Sequence, residues 1–218
     1  MKHKIYVLFL FFFFLITNVN SKSLPLKDKI IVLDPGHGGV DKGASYYNEN
    51  ESDLVLNIST ILKEELEKKG AIVYQTRKGN YDLSSPNTKR RKKSDFDNRI
   101  KFINEINPTL IISIHLNASN NNNYNGIQIF YKNNNELAQS ISNALNLRRK
   151  PVKRNNIYLL NNLKYDAFLI EWGFISNYND LRKIKDKTNI RQTSLKLING
   201  LLKFYDVSTW QECIYIVY

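Results

Sequence analysis

The chain has one cysteine, one methionine and three histidines in 218 residues. Cys213 alone cannot close an intrachain disulfide, and it cannot supply a multi-cysteine metal site. His3 lies in a basic N-terminal head, so histidine chemistry in the folded part falls to His37 and His115. Glycines cluster at Gly36, Gly38 and Gly39, but no Gly-Lys-Ser/Thr follows them. That removes the strongest signal for a phosphate-cradling loop. Acidic residues are the scarcer charge, 20 against 32 basic, which leaves a net charge of +12 and a pI near 9.6. The surplus suits an anionic partner, and nucleic acid, membrane surface and wall polymer all satisfy it. Lys89 to Lys93 carries it most densely, either as a solvated face or as a guide toward such a polymer. No internal repeat is visible.

What is present is a globular balance, 42% hydrophobic and 24% charged, with material for one domain and a core. Met1 to Asn20 carries Lys2, His3 and Lys4 ahead of an unbroken apolar run, Ile5 to Ile16. A spanning helix needs ~20 apolar residues, so this run reads as the core of a secretory signal. Val19-Asn20-Ser21 is a tolerable small-residue cleavage pattern, and an uncleaved membrane tether is the alternative. Either way the domain is expected to work outside the cytoplasm. The expected division is a signal or tether over residues 1–21, a linker over 22–28, a catalytic domain over 29–205 and an apolar, aromatic tail of unassigned role over 206–218.

Ile30 to Leu33 is a short, β-branched, unalternating run, as expected for a strand buried on both faces. Asp34-Pro35 ends it, and the glycines that follow allow a tight turn that presents His37 at the strand's carboxyl end. Open α/β sheets place their sites there. Apolar residues at Leu54, Ile58, Ile61, Leu62 and Leu66 predict a helix over 51–69, with Gly70 ending it. A strand over 71–76 follows, then a helix whose start is marked by Ser94-x-x-Asp97, which resembles a capping box. Further strands are expected at 110–114, 126–131, 157–160 and 167–170, and helices at 136–147, 179–185 and 189–205. The alternation predicts a single α/β domain with a mixed, largely parallel sheet of about six strands flanked by helices.

His37 and His115 each stand just past a buried strand. Either alone reads most simply as a structural histidine; two at strand ends that are expected to neighbour one another suggest a shared metal. A carboxylate must then complete the set, as in catalytic zinc sites that keep a fourth position for water. Glu51, at the first turn of the first helix, is the best candidate, although an acid there also favours the helix dipole, and Glu49 competes. Glu171 follows Ala167 to Ile170 directly, where a carboxylate faces either a cleft, as a general base, or an ion-pair partner.

Four segments together resemble the signatures of the zinc-dependent N-acetylmuramoyl-L-alanine amidases. In order they are Leu33-Asp-Pro-Gly-His-Gly-Gly, Glu51-Ser-Asp-Leu, Ser113-Ile-His-Leu-Asn-Ala118 and Leu169-Ile-Glu-Trp-Gly-Phe-Ile-Ser-Asn177. The resemblance implies zinc ligands at His37, Glu51 and His115, a catalytic glutamate at Glu171, and a mixed sheet flanked by helices. Asn117 and Arg99 are candidate substrate contacts. The basic insert reaching Lys93-Ser94-Asp95 and then Asn98-Arg99-Ile100-Lys101 is most similar to the germination-specific amidases of spore-formers, which act on cortex muramic acid in a step leading to muramic-δ-lactam. The implied partner is peptidoglycan, with an accessory protein as a further expectation. A general autolysin or phage-type lytic amidase is the alternative within the family. A non-catalytic wall binder is disfavoured by the intact residue set, and nucleic acid by the export segment. Trp172 and Asp166 depart from the family pattern and are expected to shape the cleft wall near Glu171.

Overall fold

The run after Lys29 forms β1 (Ile30–Pro35), whose residues from Ile31 onward are all buried. The computed structural model describes residues 24–215; the expected signal segment and the last three residues of the tail lie outside the described residues. A two-residue hairpin, β2 (Ser45–Tyr46) and β3 (Glu49–Asn50), leads into α1 (Glu51–Glu67). Next come β4 (Ile72–Gln75), α2 (Arg91–Ile106), β5 (Leu110–Asn117), β6 (Gln128–Tyr131) and α3 (Asn135–Ala144). The chain continues through β7 (Val152–Lys153), α4 (Tyr158–Asn161), β8 (Asp166–Phe174), α5 (Tyr178–Lys185) and α6 (Lys187–Tyr215).

Six strands make one sheet in the order β4-β1-β5-β8-β6-β7. The β4–β1, β1–β5, β5–β8 and β6–β7 pairs are parallel, and β6 runs antiparallel to β8. The mixed, largely parallel sheet is as expected. Alternation along the central strands divides the core between the two faces. Leu33, Ile112, Ile114, Phe168 and Ile170 pack with apolar residues of α1, α3, α5 and α6 on one face. Val32, Ile111, Ala167 and Leu169 pack with Ile103 of α2 and Leu159 and Leu160 of α4 on the other.

Several expectations give way to tertiary contacts. Residues 157–160 fall largely in α4 rather than a strand, and the small strand of this region, β7, sits inside the preceding basic stretch. Ser94 does not cap α2, which already begins at Arg91. Its Oγ instead accepts from the Ser85 amide at 2.9 Å, while Asp95 accepts from Leu83 N at 2.7 Å, so both hold the preceding loop against the helix. Within the expected linker, Leu26 is fully buried, and its amide donates to Lys69 O at 2.9 Å just past the end of α1. In the expected tail, α6 continues helically through Tyr215.

Candidate functional site

The parallel register puts the carboxyl ends of β1, β5 and β8 side by side, with Pro35 opposite Ile114 and His115 opposite Glu171. Beyond β1 the chain turns sharply. His37 takes a left-handed conformation (φ 61°), and Gly38 follows at φ 126°, a region closed to most side chains. Gly38 and Asp41 exchange backbone hydrogen bonds of 2.8 and 3.1 Å, which closes the loop beneath the imidazole. Gly36 is required for another reason: a Cβ there would lie 2.1 Å from Cε1 of His115, so the backbone and that ring share the space.

Glu51 enters from the first turn of α1, on the far side of the glycine loop. Its Oε1 lies 3.2 Å from His37 Nε2 and 3.1 Å from His115 Nδ1, and it also accepts from Leu116 N at 3.0 Å. Its Oε2 accepts from Ala44 N at 3.0 Å. Burial works against the charge of Glu51, but the two imidazoles outweigh it and hold its pKa well below the usual carboxylate range. For His37, burial favours the neutral ring, yet the contacts to Glu51 and Asp41 win and raise its pKa. Asp41 Oδ1 stands 3.0 Å from His37 Nδ1, the nitrogen turned away from Glu51, as a charge contact that lacks hydrogen-bond alignment. Glu49, the competing acid, is instead paired with Lys185.

His37, Glu51 and His115 offer one donor atom each, all within 4.8 Å of one another, as a group that could hold a metal ion. Tetrahedral coordination with bonds of about 2.0–2.1 Å needs donor–donor separations of roughly 3.3 Å. The 3.1 and 3.2 Å spacings about Glu51 meet that requirement, and the His₂-carboxylate chemistry is that of an open, catalytic type of site. The residues fit the ion.

Glu171 stands on the same sheet face as His115 and is flanked on its other side by Gln128, its antiparallel register partner. Its Oε2 is sealed from solvent and has no hydrogen-bond partner among the described residues. Burial raises its pKa to about 7; His115 pulls the value down and the charge of Glu51 pushes it up. A buried carboxyl with that pKa is poised to exchange a proton near neutrality. A cavity of about 130 Å³ reaches His37 and His115 and is walled by Lys92, Phe96, Tyr158 and Leu169.

The remaining candidates fall elsewhere. Arg99 borders that cavity but is 1% exposed, and its bonded donors go to Asp34, Asp95, Thr76 Oγ1, Pro35 O and His37 O, which support the loop. Asn117 ends β5 past a register shift, partly exposed, with its Oδ1 accepting from Ala118 N at 2.8 Å. Trp172 alternates to the face opposite Glu171 and is buried against α5 and α6, which removes it from the cleft wall. Asp166 opens β8, five residues or roughly 16 Å before Glu171, and accepts from Asn134 Nδ2 at 2.8 Å. Sequence reasoning missed Gln128, Asp41 and Arg77. Asp41, four residues past His37, was the one with a local signal.

A mixed α/β sheet with two histidines and two carboxylates at its carboxyl end is an arrangement suited to a hydrolase. The chain belongs to the N-acetylmuramoyl-L-alanine amidase family, whose pattern it matches over residues 31–203. It is an enzyme of that class, with peptidoglycan as the substrate. It is 36% identical over 215 residues to the germination-specific N-acetylmuramoyl-L-alanine amidase of Bacillus subtilis, covering 92% of this chain and 91% of that protein. It is 32% identical to the probable cell wall amidase LytH of Staphylococcus aureus, over 86% of this chain but 62% of LytH. The CwlD amidase of Clostridioides difficile, solved in complex with the GerS lipoprotein, superposes with a TM-score of 0.78 at 32% identity, covering 83% of this chain and all of that one.

Proposed function

We propose that this chain is a zinc-dependent amidase that cleaves the bond between the lactyl group of N-acetylmuramic acid and the L-alanine of the stem peptide. In this reading His37, Glu51 and His115 hold the ion and Glu171 is the general base. The observation that carries it is the placement of Glu171 in register with His115, its sealed Oε2 on the face from which the histidine rises. When bound, zinc supplies Lewis acidity toward water and the scissile carbonyl. Glu171 takes the proton from the attacking water and returns it to the departing alanine amine. Burial raises its pKa to about 7 in the metal-free chain, and a bound dication would lower that value and favour the carboxylate that takes up the proton. Asp41 sets a negative charge beside the far nitrogen of His37.

The substrate is the spore cortex, where the reaction is the step leading to muramic-δ-lactam. End-to-end similarity to the germination-specific enzyme supports this over a general autolysin or phage-type role. The N-terminal basic-apolar segment supports export to the cell wall or the forespore intermembrane space, with or without a retained membrane tether. An accessory protein is part of the proposal, in line with the CwlD amidase having been solved with GerS. Mass spectrometry of muropeptides before and after incubation with purified enzyme tests the activity: stem peptide should be released, and chelation should abolish the release. His115→Ala should lose zinc by elemental analysis, and a full metal complement would remove His115 from the site. Spores of a deletion strain that still contained δ-lactam would overturn the cortex assignment.

A further inference from the structure

Arg77 and Arg99 are the largest fully buried side chains among the described residues, each 1% exposed. Burying a guanidinium costs several kcal/mol unless its donors are met. Arg99 meets that cost with carboxylates, Nη1 to Asp34 Oδ1 at 2.7 Å and Nε to Asp95 Oδ2 at 2.9 Å. Arg77 does not: among the described residues no carboxylate pairs with it. It donates only to main-chain carbonyls, those of Pro35 (3.0 Å), Gly36 (2.7 Å), Ser52 (2.7 Å) and Gly79 (3.0 Å).

Those carbonyls are placed with respect to the site. Gly36 precedes His37 and Ser52 follows Glu51, so one planar fork joins the backbones of two donor-bearing segments. Arg99 grips the carbonyl of His37 itself at 2.6 Å and shares Pro35 O at 2.9 Å. Through Asp34, which accepts from Ser113 Oγ at 3.1 Å, it also reaches β5 two residues before His115. Three successive carbonyls, at residues 35, 36 and 37, are therefore held from below. A non-glycine residue in the left-handed region costs about 1–2 kcal/mol and persists only where its surroundings over-determine it. His37 is in that condition, and the two arginines act with the Gly38–Asp41 backbone bonds to hold it there.

We propose that Arg77 and Arg99 are positioning residues that assemble the metal cage before any ion arrives. Arg77 sets the spacing between His37 and Glu51, and Arg99 holds the left-handed turn at His37. The inference rests on reading those donors as metal ligands. Lysine cannot replace either arginine, because a single ammonium does not span carbonyls on two segments as a rigid fork does.

Cobalt(II) titration of the metal-free protein, read by its visible absorption, tests this with Arg77→Lys and Arg99→Lys. Leu201→Ala, a core truncation in α6, serves as a destabilised control. The arginine variants should bind cobalt about 10–100-fold more weakly in their folded fraction, the range for residues that orient ligands. At saturating metal their KM should stay near that of the parent chain. The control should lose Tm and keep its affinity. Parent-like affinity in folded Arg77→Lys and Arg99→Lys overturns the proposal. Absence of binding by the parent chain would overturn the metal reading itself, a separate result. Should both variants fail to fold, hydrogen exchange on the parent chain decides: the amides of Gly36 and Gly38 should be as protected without metal as with it. Protection that appears only on metal binding overturns the pre-assembled cage.

Discussion

His115 and Glu171 are register partners on adjacent parallel strands, so their side chains rise next to each other from one face of the sheet. Neighbouring strands lie ~4.8 Å apart. A residue slip in β8 would turn Glu171 to the opposite face and Trp172 toward the histidines. The buried apolar run from Ala167 to Ile170 pins that register, because a slip would exchange the side chains serving the two halves of the core. The placement of Glu171 is thus secured by the packing of the residues just before it.

Glu171→Gln keeps the shape of the side chain and removes its capacity to take a proton. Turnover on purified peptidoglycan should fall about 10²–10⁴-fold, the usual contribution of a general base, with metal content unchanged. Near-parental release of stem peptide, measured by mass spectrometry, would remove Glu171 from the role.

The same substitution has a consequence for the metal-free protein that is independent of turnover. The folded chain holds the Glu171 proton up to about pH 7, whereas an unfolded glutamate releases it near ~4.3. Stability from this group is therefore complete below ~4.3 and is lost as pH rises to about 7. The Tm of the metal-free protein should drop between pH 5 and 8, and the drop should be smaller by several degrees in Glu171→Gln. His37, with its raised pKa, adds a loss of the same sign that both proteins share, so their difference isolates the carboxylate. Equal slopes in the two proteins would contradict the buried, raised Glu171.

Gly36→Ala is a steric test of the cage. The added methyl would meet the His115 ring at 2.1 Å, with backbone on one side and Glu51 on the other. The ring must move, and metal affinity should weaken by at least about tenfold even though the substituted residue is not itself a donor. Isothermal titration with zinc measures this, and an unchanged affinity would show that the ring has room the structure denies it.

Leu26→Ala tests where the domain begins. Leu26 is fully buried and belongs to the larger core cluster, so the truncation should cost roughly 2–5 kcal/mol in urea unfolding. Because Leu26 lies outside the site, kcat at a temperature where the variant is folded should be unaffected. A loss within ±0.5 kcal/mol, typical of surface changes, would return the segment to linker status.

Much of the fold was legible because the buried strands carry uninterrupted apolar runs and each ends in a residue that does not belong in a core. His37, His115 and Glu171 all announce themselves that way. Glu51 could be found only with an ambiguity, since the helix start that makes it a donor also explains an acid by electrostatics. What stayed hidden depends on contacts between distant segments. Arg99 was a candidate substrate contact on a basic helix, and only the fold shows Asp34 waiting beneath it. Ser94 had the spacing of a cap, yet the loop at 83–85 claims it. Residues 157–160 form an apolar run too short for periodicity to separate helix from strand. Trp172 drew attention next to Glu171, and simple alternation already assigned it to the other face.

The strand order has a bearing on how the protein matures. His37, Glu51 and His115 are all translated well before β8, and β8 lies between β5 and β6 in the sheet. Until it inserts, β6 has no strand to pair with on that side, and Glu171 is missing from the cluster. Closing the sheet and supplying Glu171 are one event. On the proposed reading, a chain whose β8 has not yet inserted lacks Glu171 beside His115, so activity waits for the sheet to close.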